Sequence, residues 1–111
     1  MELFPQTERI PMPVSSFRGE ILGQALEITM GDRNKSYGEP YNSHANIAII
    51  WTAYLEMKYG IDFKLVPEDV AWLMVELKIA RSVLGTVSDD TYIDAAAYAA
   101  IAGECHQEEQ K

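Results

Sequence analysis

The segment from Ala45 to Tyr59 constrains this chain more than any other, because it is apolar on nearly every side of the helix it would form. Ile47, Ile49, Ile50, Trp51, Tyr54, Leu55 and Met57 follow one another too closely to share a single stripe. Such a helix has to be covered all round. A chain of 111 residues holds one domain and one core. Coverage then calls for more neighbouring helices than one copy supplies, which points to a homo-oligomer. The expected architecture is all-α: a single four-helix, bundle-like domain completed by oligomerisation.

The flanks carry the punctuation of a helical chain. Pro5, Pro11 and Pro13 crowd the start, so residues 1–17 read as an extended arm. From residue 18 the pattern turns helical, with Ile21, Leu22, Ala25, Leu26 and Thr29 on one face and Ser15 or Ser16 as the cap. Gly31 and Gly38 bracket a polar loop, Asp32 to Tyr37. Pro40 suits the first turn of the second helix and Gly60 its C-terminal cap. Ile61 to Val66 reads as an extended connection. Pro67, followed by Glu68 and Asp69, opens a third helix whose stripe is Val70, Leu73, Met74, Leu77, Ala80 and Leu84. Ser88 caps a fourth, where the alanines from Ala95 to Ala102 permit close approach. The helical domain is thus expected over residues 18–106, with a frayed acidic tail at 107–111.

Charge and cysteine usage exclude several function classes. Nine Lys and Arg against seventeen Asp and Glu give a net charge of −8, which repels nucleic-acid backbones and anionic membranes. Cys105 is the one cysteine, so an internal disulfide is impossible, and with His44 and His106 alone no zinc finger can form. The expected compartment is a reducing cytoplasm, with no membrane partner. No P-loop, dinucleotide-binding glycine motif, zincin motif or nucleophile elbow is present. Cys105 beside His106 is a poor geometry for a nucleophile and its base, and His44 is expected to be exposed without a role.

Chemistry concentrates where the third and fourth helices should meet. With a short turn at residues 85–87 the two run antiparallel, and counting back from Thr86 sets Asp94 beside Lys78 and Asp90 near Ser82 and Arg81. Glu76 lies on an otherwise apolar strip with Trp72, Ile79 and Val83, so its carboxylate is expected to be partly desolvated or paired. Two accounts stay open. In one, Lys78 and Arg81 pair with Asp94 and Asp90 and fix the register of a helical hairpin. In the other, Glu76, Asp90 and Asp94 hold Mg²⁺, with Glu76 and Asp94 as the catalytic carboxylates, while Lys78, Arg81 and Arg33 contact phosphates. Lys35 and Tyr37 in the polar loop suit closure over an anionic, planar ligand. Asn46 has to find a hydrogen-bond partner inside an apolar helix, and Tyr98 offers a ring to stack on a base. Trp51 and Trp72 read as core.

Asp32-Arg33, Tyr37-Gly38, Asn46-Ile47-Ala48, Trp51, Tyr54-Leu55, Asp69-Val70-Ala71, Met74, Leu77 to Arg81, Asp90, Asp94 and Tyr98-Ala99 together resemble a small helical domain of phages and prophages. The resemblance runs from about residue 25 to residue 104. That domain has no settled function but occurs in phage nucleotide-metabolism proteins. More remotely the chain is similar to the MazG-like all-α nucleoside triphosphate pyrophosphohydrolases, oligomers in which carboxylates on two consecutive helices bind Mg²⁺ around a triphosphate. Those enzymes carry E-x-x-E and E-x-x-D, whereas this chain has Glu76 and then Asp90-x-x-x-Asp94. The resemblance therefore implies a nucleotide or nucleoside-phosphate ligand more directly than turnover. A non-enzymatic phage accessory protein, which binds a host protein or sequesters a nucleotide signal, is the alternative.

Overall fold

A computed structural model describes residues 16–31, 39–85 and 87–111. Among these the chain forms four helices and no strand: α1 (Phe17–Met30), α2 (Pro40–Tyr59), α3 (Pro67–Leu84) and α4 (Asp89–Glu109). None is long and apolar enough to cross a membrane.

The helix ends follow from local chemistry. Ser16 sits in an extended conformation and its hydroxyl accepts the Gly19 N–H at 3.1 Å, which satisfies one orphan donor of α1. Pro40 and Pro67 occupy first turns, where a missing N–H costs nothing. Gly60 closes α2 with φ 64°, a left-handed conformation that disfavours any side chain with a Cβ. The connection at 61–66 is pinned at its C-terminal end by two hydrogen bonds. The Leu65 N–H donates to the Thr52 hydroxyl at 2.9 Å, and the Val66 N–H donates to the Asp69 carboxylate at 2.9 Å. Ser88 lies at the N-terminal boundary of α4, but its side chain makes no capping hydrogen bond; its carbonyl accepts from the Thr91 N–H instead. The helix then continues past Gln107 to Glu109, beyond the point where fraying is expected, and Lys111 pairs with Glu108 at 2.8 Å.

Small residues decide how the helices approach. Ala71 on α3 packs with Ile101, Ala102 and Cys105 on α4, and Tyr41 and Tyr98 lean on that cluster. Ala25 on α1 packs with Ile93 and Ala97 on α4, flanked by Ile21 and Ile28, while Phe17 meets Tyr92 edge to face at 6.5 Å. The α4 helix is therefore the central element, contacted by the other three.

This choice of faces differs from the stripes the sequence points to. In α1 the buried side runs through Ala25 and leaves Leu22 and Leu26 exposed. In α3 it runs through Pro67, Val70 and Ala71, and Leu84 is 94% exposed. Backbones approach most closely over alanine, and the bulkier neighbours are turned outward as a result. Trp72, expected in the core, is 45% exposed for the same reason, and His44, expected outside, is buried.

Candidate functional site

The α3–α4 hairpin is tied at two levels. At the first, Lys78 and Asp94 form an ion pair at 3.1 Å, with side chains 17% and 28% exposed. Counting back from the turn predicts this pair, and its partial burial makes it stronger than a fully solvated one.

The second level lies three turns away, where the start of α3 meets the end of α4. The Glu68 carboxylate accepts the Trp72 indole N–H at 3.0 Å and lies 2.9 Å from His106 Nδ1. The Glu68 backbone N–H, an orphan of the first turn, donates to the Glu109 carboxylate at 3.1 Å. The Trp72 hydrogen bond, with that of His106, holds the Glu68 carboxyl below the ordinary glutamate range. Nothing in the local sequence marks Glu68. The signal lies in the register, since extending the Lys78–Asp94 pairing along two antiparallel helices brings residue 68 opposite the segment around residue 106.

Cys105 sits between these ties and is fully buried. Burial, reinforced by Glu109, Glu104, Glu68 and Glu108, pushes its thiol up to about 11. It stays protonated near neutral pH and packs as a small apolar group, in line with a bystander rather than a nucleophile.

The remaining candidates do not gather into one place. Glu76 and Asp90 are exposed, and Arg81 is exposed one turn beyond Lys78. Among the described residues no three His, Cys, Asp or Glu side chains are grouped as a metal ion requires. The geometry therefore does not fit a Mg²⁺ held by Glu76, Asp90 and Asp94, the last of which already has an ammonium as its neighbour. Tyr98 is half-buried and stacks on His44 with ring centroids 6.2 Å apart. Asn46 is exposed rather than buried, on the side of α2 away from His44 and the Tyr98 ring stacked on it. Arg33, Lys35 and Tyr37 lie outside the described residues.

Comparison with known proteins gives the chain a lineage. It is 43% identical over 81 residues to the Gene 55 protein of Mycobacterium phage L5, a match that covers 73% of this chain and 49% of the relative. It is 37% identical over 89 residues to the Gene 55 protein of Mycobacterium phage D29, covering 79% of this chain and 54% of that one. The chain thus spans about half the length of these curated relatives. No solved structure matches it. The model of a domain of unknown function, DUF6378, matches residues 20–106, from the first turn of α1 almost to the end of α4, and the chain belongs to that phage-associated family.

Proposed function

We propose that the chain is a non-enzymatic phage accessory protein whose α3 helix binds an apolar, cationic helix of a host protein. The observation that carries this reading is the outward strip of α3. Trp72, Ile79 and Val83 are all exposed, and Glu76, exposed as well, lies between them at helical spacing. An apolar strip with a carboxylate at its centre, on a chain of net charge −8, is complementary to a strip of Leu and Lys or Arg. Lys78 and Asp94, held by each other, serve the hairpin that keeps the strip rigid.

The test uses two synthetic amphipathic peptides of equal length, one Lys/Leu and one Glu/Leu, with tryptophan emission as the readout. The Lys/Leu peptide is expected to bind with strong salt dependence, and Glu76→Lys to weaken it at least tenfold. Equal binding of both peptides, or of neither, overturns the proposal.

A nucleotide-binding reading is favoured by Arg81, which stands exposed beside Lys78 on α3, and by the resemblance to phage nucleotide-metabolism proteins and MazG-like enzymes. In that reading a nucleoside triphosphate with Mg²⁺ raises the melting temperature by mass action. Mg²⁺-dependent release of pyrophosphate, lost in Asp94→Ala, would establish the hydrolytic form and displace the accessory-protein reading.

A further inference from the structure

The α2 helix buries a narrow stripe, His44, Ala48 and Thr52, spaced by one turn each. Its opposite side is apolar as well and open to solvent: Ile49 is 69% exposed, Ile50 65%, Tyr54 56% and Met57 88%. Single exposed apolar residues are ordinary, but a contiguous row of them along one helix is not.

The spacing of this row is specific. Asn46, Ile50, Ala53 and Met57 stand four, three and four residues apart, the alternation that keeps one seam of a helix facing a partner helix. Ile49 and Tyr54 flank the seam on its two sides. Asn46 is its one polar member, and a single amide in such a seam fixes the register of the pair at some cost in stability. The structure also answers why an apolar helix carries an amide at that position, because Asn46 does not face the core of its own bundle.

Charge identifies the occupant. Two copies of a chain with net charge −8 repel each other over most of their surface. The α2 helix contains just Glu56 and Lys58 as ionised side chains, which cancel, so its outer face is the neutral ground on which like-charged copies can meet. Four large side chains exposed to this degree offer on the order of 600 Å² per copy, most of the roughly 800 Å² per partner of a stable interface. From these observations we infer that α2 pairs with α2 of a second copy through the Asn46–Ile50–Ala53–Met57 seam, making the protein a two-fold dimer. This face is distinct from the α3 strip, so a failure of either inference leaves the other intact.

Sedimentation velocity on the full chain from about 1 to 100 μM tests the pairing, with circular dichroism to monitor the fold. The wild type is expected to sediment as a dimer, and Ile50→Glu and Met57→Lys each to shift it to monomer while keeping the helical signal. Trp72→Lys, on α3, is expected to leave the dimer unchanged. A monomeric wild type overturns the inference. So does a wild-type dimer that survives both α2 substitutions, or one that Trp72→Lys dissociates. Should Ile50→Glu lose its fold, Met57→Lys still decides, because that side chain is almost wholly exposed.

Discussion

The α3–α4 hairpin and the outer face of α2 use apolar residues in opposite ways. In the hairpin the buried groups are small: Ala71, Ala102 and Cys105 are 0% exposed, and the Lys78–Asp94 and Glu68–His106 contacts bracket them. On α2 the side chains are large and the surface is open. Close approach fixes the geometry of the hairpin, whereas bulk on α2 leaves area for another chain. Apolar content alone therefore does not locate a core. What locates it here is the pairing of alanine with alanine across two helices whose register charged groups hold.

The sharpest way to break the comparison is to enlarge the hairpin contact. Ala102→Leu is expected to lower the stability to urea unfolding by about 2–3 kcal/mol, since the added atoms have no space against Ala71. An unchanged unfolding midpoint would mean that the two helices are not in close contact there.

A smaller effect is expected from the tie itself. Lys78→Ala leaves Asp94 part-buried beside an apolar stub and should cost about 1 kcal/mol in the same assay. The loss should diminish in high salt, because the pair retains some exposure.

The second tie is read by acid. The carboxyl of Glu68 is lower in the folded than in the unfolded chain, so it contributes stability above the ordinary glutamate range, and this contribution is lost as pH falls through the lowered value. Glu68→Gln is expected to flatten the acid limb of melting temperature against pH, with variant and wild type converging once pH has fallen below the lowered value. Parallel curves for the two proteins would show that the carboxylate takes no part.

The least effect on the fold is expected from Met57→Ser. At 88% exposure the methionine adds little to its own subunit, and unfolding measured on monomer should change by less than about 0.5 kcal/mol. A larger loss would place Met57 inside the fold rather than on an outer face.

Much of the fold was legible because its punctuation is local. Ser16, Pro40, Gly60 and Pro67 act within one turn of themselves, so they mark helix ends without knowledge of the neighbours. The Lys78–Asp94 pair was legible too, since a short turn fixes the register of the helices it joins. The buried faces of α1 and α3 were legible only in part, through Ile21, Ala25 and Val70. Periodicity shows where large apolar residues recur, but Ala25, Ala71, Ala97 and Ala102 win the contacts by allowing approach, and they leave Leu22, Leu26 and Leu84 outside. Of the candidate site, the Lys78–Asp94 pair was foreseen in one account, whereas the Arg81–Asp90 pair expected beside it is not among the ion pairs of the described residues. Glu68 and Glu109 were missed because their contact spans the whole length of two helices.

The central claim is that Asp94 holds the hairpin through Lys78 and is not one of a set of crowded metal carboxylates. The most direct measurement is the unfolding free energy of Asp94→Ala and wild type, each with and without Mg²⁺. The account predicts that the variant is less stable by about 0.5–1 kcal/mol and that Mg²⁺ leaves both unchanged. A variant more stable than wild type, together with a wild type that Mg²⁺ stabilises, would contradict it, since removing one of several crowded acids relieves repulsion and abolishes the metal's effect.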